Sequence, residues 1–154
     1  MQLSQEFANR FDRLVERVID RLPEPQRTWV QAEVPVVVDD CPTDRLLADL
    51  DVSDPRELAG LYMPAMVTTP CIYLFRAGIL GLARERMAIQ QLAHELNRAI
   101  EELTVDDLPP EGLMIDEQAE VDDASLAAEI EVTIMHELAH HKGLDEREVE
   151  ELGF

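Results

Sequence analysis

The sequence predicts one α+β domain over residues 1–154, a small mixed β-sheet packed against helices, with a histidine–glutamate motif on a helix near the C-terminus. Three observations lead there. Apolar residues repeat at helical spacing over 4–22 and about 124–142, while 28–38 and 71–76 are short runs of β-branched and aromatic residues. The 154 residues, 46% of them hydrophobic, suffice for one buried core.

Phe7, Phe11, Leu14, Val15, Val18 and Leu22 form the stripe of the first helix, with Ser4 as its N-cap and Pro23 and Pro25 ending it. In 28–38, Val30, Ala32, Val34, Val36 and Val38 alternate on one face, which predicts a strand; Pro35 sends it to an edge or a bulge. A short helix is expected over 43–50, and another from Pro55, capped by Ser53 or Asp54. Residues 61–70, with Pro64 and Pro70, read as irregular. A second strand follows at 71–76, then a turn at Gly78 and Gly81, then a long helix to about Leu103. The stretch 101–123 carries ten acids, no base, and Pro109, Pro110 and Gly112, so a solvated loop or insert is expected over about 104–123. The last helix ends at Gly143, ahead of a short tail rich in acidic residues.

Charge narrows the function. Thirteen basic and 33 acidic residues leave a net charge of −20, and residues 101–154 hold only Lys142 and Arg147 as bases. With no basic stripe to displace counterions, nucleic acid is not an expected partner, and neither is an anionic membrane surface. No apolar run reaches the ~20 residues of a spanning helix. Met1–Arg10 lacks the pattern of a secretory leader, so the expected location is cytoplasmic. Cys41 and Cys71 are too few for a disulfide scaffold and read as small buried residues.

Chemistry concentrates at Ile134–Glu146. His136-Glu137-Leu138-Ala139-His140 is H-E-x-x-H on a helix. Positions four apart sit one turn above each other with Cβ atoms ~5–6 Å apart, so two imidazoles can meet one ion at ~2.0–2.1 Å. Glu137 lies about 100° around the helix from His136, too far to share the first shell with ease but close enough to take a proton from a zinc-bound water. A catalytic zinc usually takes a third protein ligand. Gly143 lets the chain turn back, and Asp145 and Glu146 follow; Glu146 is favoured and Asp145 is the alternate. His94-Glu95-Leu96-Asn97-Arg98 starts the same way but ends in a guanidinium that cannot ligate zinc, so His94 reads as an ordinary helix residue. His141 reads as a packing or hydrogen-bonding residue at the helix end.

The stretch His136–Glu146 resembles the minimal zincin family of small bacterial zinc metallopeptidases, whose pattern is H-E-x-x-H-H-x-G followed by acidic residues; His136, Glu137, His140, His141 and Gly143 match it. Upstream, Val38-Asp39-Asp40-Cys41-Pro42 looks like the exit of that family's first strand, Leu58-Ala59-Gly60-Leu61-Tyr62 like its G-L-Y segment, and Ile72–Arg76 like its second strand. The resemblance implies a zincin-like fold, zinc as cofactor, His136 and His140 as ligands, Glu137 as general base, and a third ligand at Glu146, where the family generally has aspartate. The chain departs from the pattern at Met63-Pro64, in place of the usual glycine, and in a longer connection over 84–123.

The expected function is that of a zinc-dependent metallopeptidase acting on a peptide or protein, with an exposed sheet edge to hold an extended chain and Tyr62 or Tyr73 as candidates to assist the oxyanion. The rival is a non-catalytic metal-binding or interaction module on the same fold. A metal-dependent nuclease is disfavoured by the net charge and by Glu137. Oligomeric state has no signature in the sequence.

Overall fold

The computed structural model describes residues 3–66, 69–102 and 115–153. Helix α1 spans Gln5–Arg21, and the Ser4 side chain accepts a hydrogen bond from the Phe7 amide at 3.1 Å. Phe11, Leu14, Val15 and Val18 form its buried stripe.

The strand expected over 28–38 is two elements. Gln26–Ala32 is helix α2, and only Val36–Asp39 is strand β1. Val30 and Val34 are two residues of an alternation, but they are also four apart, and the first turn is tied locally. The Glu24 carboxylate accepts from Thr28 Oγ1 at 2.7 Å and from Arg27 at 2.8 Å. A short period-two pattern cannot outweigh those local bonds. Pro35 does lie at an edge, giving its carbonyl to the Ile72 amide at 3.0 Å, where a missing N–H is harmless.

Helix α3 (Asp44–Asp49) is capped by Thr43. The helix expected from Pro55 is a single 3-10 turn, Pro55–Glu57, capped by Asp54. Part of the segment read as irregular is strand β2, Gly60–Met63; Pro64 and Pro70 fall outside it. Strand β3 is Cys71–Phe75. The sheet order is β1-β3-β2, with β1 parallel and β2 antiparallel to β3. The result is α+β, a small mixed sheet with helices, as expected.

No turn separates β3 from helix α4, Arg76–Glu102. Gly78 serves a close approach instead. A Cβ there would lie 2.2 Å from the Leu58 carbonyl oxygen, so only glycine lets α4 pack against the chain entering β2. Of the acidic stretch, 103–114 lies outside the described residues, as do Leu103, Pro109, Pro110 and Gly112. The part from 115 on is more than a solvated connection. Val121 is buried, Asp122 caps the next helix, and Arg84 bonds the Ala119 carbonyl at 3.2 Å.

Helix α5 (Asp123–His141) runs beneath the sheet, and the acidic tail forms a further helix, α6, Glu146–Glu151. Leu126, Ile130, Ile134 and Leu138 of α5 meet Ile72 and Leu74 of β3 and Phe11 and Leu14 of α1 in one core. Cys41 and Cys71 are half-buried free thiols rather than fully buried ones. Among the described residues no helix is long and apolar enough to cross a membrane.

Candidate metal centre

The faces of α5 divide by chemistry. The apolar face enters the core. Next to it runs a buried polar stripe, Glu129, Thr133 and Glu137, at spacing four, and His141 continues it. Glu129 pairs with Arg86, which satisfies its charge. His136 and His140 lie on a third, half-buried face.

The helix ends as its glycine requires. Gly143 has φ +89°, and the Leu144 amide reaches back to the Ala139 carbonyl at 3.1 Å. That turn sets two groups. The Leu144 carbonyl lies 2.9 Å from His140 Nδ1. A carbonyl only accepts, so Nδ1 carries the hydrogen and Nε2 is left with its lone pair. The turn also leads directly into α6, which sorts the two candidate carboxylates. Asp145 is the N-cap: its carboxylate accepts from the Glu148 amide at 2.9 Å, while Glu148 accepts from the Asp145 amide at 2.8 Å. Asp145 is thus engaged in a capping box. Glu146, the first residue of the helix, has no such duty, and its carboxylate turns to the imidazoles.

Glu146 Oε2 is 3.3 Å from His136 Nε2, and Oε1 is 3.1 Å from His140 Nε2. One donor atom from each of the three lies within 4.8 Å of the others, and the imidazole centroids are 4.9 Å apart. Tetrahedral ligands bound at ~2.0–2.1 Å stand about 3.3–3.4 Å from one another, so this spacing fits one small divalent ion. The donors, two imidazoles and a carboxylate, suit zinc.

Glu137 is kept apart from this trio. It is 8% exposed, and its Oε2 accepts the Tyr62 backbone N–H of β2 at 2.8 Å. Burial pushes its carboxyl above the usual range, and the negative charge of Glu146 adds to this; His136, the Tyr62 N–H and His140 oppose it. β2 comes this close because of Gly60, where a Cβ would lie 2.4 Å from Thr133 Cγ2 and 3.3 Å from Glu137 Cγ.

The two tyrosines part company. Tyr62 Oη is 2.9 Å from His141 Nδ1, so His141 has the hydrogen-bonding role expected of it. Tyr73 stacks on Phe75 and lines a cavity of about 310 Å³ with Asp39, Cys41 and Met63. Tyr73 alternates along β3 with Ile72 and Leu74, which share the core with α5, and it is not part of the centre. His94 is exposed on α4. Sequence reasoning missed Gly60 and Glu33. The G-L-Y segment was the available signal, but its strand was hidden by the prolines that follow.

The site thus consists of a sheet edge laid along a helix that carries H-E-x-x-H, with a carboxylate returning past a glycine turn, in an α+β protein. Residues 113–154 match the family of zincin-like metallopeptidases, which supports the resemblance to the minimal zincins in the segment that holds the motif. That family implies a divalent metal, typically zinc, and the His136, His140 and Glu146 group is able to hold one. No curated protein matches the chain.

Proposed function

We propose that the protein is a zinc-dependent peptidase in which His136, His140 and Glu146 hold the ion and Glu137 is the general base. One observation carries this reading: a buried glutamate sits beside a convergent donor trio, yet its carboxylate is held by the Tyr62 amide rather than turned into the donor set. A purely structural site has no need of that fourth group.

Bound by these residues, zinc would supply Lewis acidity, polarising an amide carbonyl and lowering the pKa of a water toward ~7. Glu137 supplies the proton traffic. Its carboxylate takes a proton from the attacking water and passes it to the departing amine. The Tyr62 N–H holds one carboxylate oxygen and leaves the other for the proton. β2 is an edge of the sheet; the Tyr62 N–H on its free side is taken by Glu137, and the remaining backbone groups of that edge are suited to align an extended peptide.

The test is Glu137→Gln in the zinc-loaded chain, with a mixed peptide library read by mass spectrometry. The variant is expected to keep stoichiometric zinc and to lose turnover by about 10²–10⁴-fold, the usual weight of a general base. Turnover equal to wild type refutes the assignment of Glu137. Zinc binding with no turnover in either protein supports the non-catalytic module.

A further inference from the structure

Outside the metal trio, β2 is tied to α5 a second time. Tyr62 Oη meets His141 Nδ1 at 2.9 Å, and His141 Nε2 meets Glu33 Oε2 at 3.1 Å. Glu33 stands at the end of α2 and also accepts from Lys142 Nζ at 3.1 Å, while that ammonium lies over the Trp29 ring, 4.0 Å from its centroid. His141 and Lys142 together hold the Glu33 carboxyl below the usual range. A carboxylate only accepts, so in the neutral ring His141 carries its hydrogen on Nε2 and accepts at Nδ1. The proton of the Tyr62 hydroxyl is therefore directed at His141, and it is not free for a substrate oxyanion.

The same residue, Tyr62, is held at both ends. Its amide is on Glu137 and its phenol is on His141, and these two are one helical turn apart on α5. We propose that Glu33, His141 and Tyr62 form a positioning chain that locks the register and height of β2 over α5, so that the Tyr62 N–H stays on Glu137. In this arrangement Tyr62 and His141 act through Glu137 and touch no substrate atom. The inference rests on the peptidase reading for its catalytic consequence, but the lock itself can be measured without turnover.

The experiment compares wild type with Tyr62→Phe, His141→Leu, His141→Gln and Glu33→Ala, each as the full metal-free chain. Hydrogen exchange of the residue 62 amide is followed by NMR, beside zinc affinity and overall stability. His141→Leu and Tyr62→Phe are expected to speed that exchange at least tenfold relative to the core amides of β3, with zinc affinity changed less than threefold. His141→Gln, whose amide can accept from Tyr62 and donate to Glu33, restores protection. Glu33→Ala falls between. Unchanged protection in Tyr62→Phe and His141→Leu overturns the lock, and so does loss in His141→Gln equal to that in His141→Leu. Where wild type cleaves peptide, the loosened variants lose kcat with little change in KM, and a change confined to KM overturns the positioning role. A wild type without turnover refutes the peptidase reading and leaves the amide measurement to decide the lock.

Discussion

Replacing Gly60 with alanine tests the closeness of β2 to the motif helix. The new Cβ would stand 2.4 Å from Thr133 Cγ2 and 3.3 Å from Glu137 Cγ and Oε1. Ordinary carbon contacts lie at about 3.5–4.0 Å, so strand and helix must separate by roughly 1 Å, and overpacking of this kind costs about 1–3 kcal/mol. Thr133→Ala removes the clashing methyl; alone it should cost about 1 kcal/mol, reduced by alanine's better helix propensity. If the two residues meet as described, the double variant is more stable than the sum of the single effects predicts, by about 1–2 kcal/mol. Urea unfolding of the four metal-free proteins gives the cycle. Turnover adds a second reading, since moving β2 also moves the Tyr62 amide away from Glu137. Additivity within about 0.5 kcal/mol, or a harmless Gly60→Ala, would refute the contact and the positioning of Glu137 derived from it.

Two further outcomes follow from the geometry. Zinc at a hundredfold excess over its dissociation constant should stabilise the chain by about 2.7 kcal/mol, raising Tm by about 5–10 °C. His136→Ala and Glu146→Ala abolish that shift, while Asp145→Ala lowers Tm but keeps it; scanning calorimetry with and without zinc separates these, and a shift retained in Glu146→Ala removes Glu146 from the ligand set. The second outcome concerns acid. The Ser125 amide holds Asp122 below its ordinary 3.8, so the stability it contributes is present above that pH and is lost as the pH falls through the lower folded value. Asp122→Asn keeps the cap without the charge, so between pH 5 and pH 2 it should lose less stability than wild type; equal slopes in urea titrations would show that Asp122 is not a source of the acid sensitivity.

Several features were readable because they depend on a few adjacent residues. Ser4 and Asp54 cap the helical turns that follow them, and the amphipathic stripe of α1 recurs at each turn. H-E-x-x-H needs only helical spacing to bring His136 and His140 together, and Gly143 announces the turn. The strand expected over 28–38 failed where local and regional signals conflict. Val30 and Val34 fit either period, and the bonds of Glu24 to Arg27 and Thr28 favour the helix.

By itself, then, the sequence determined the motif helix, its glycine end and the two candidate carboxylates beyond it, because the helix pitch and the left-handed conformation of Gly143 are local properties. Tertiary structure decided which of those carboxylates turns to the imidazoles. Asp145 is consumed in capping α6 and Glu146 is not, a distinction that exists only once the tail folds into a helix. It also decided that Gly60 admits β2 beside Thr133, that Tyr62 reaches Glu137 from 75 residues away, and that Glu33 meets His141 across 108. Contacts at such separations depend on how the layers pack, and no spacing along the chain encodes them.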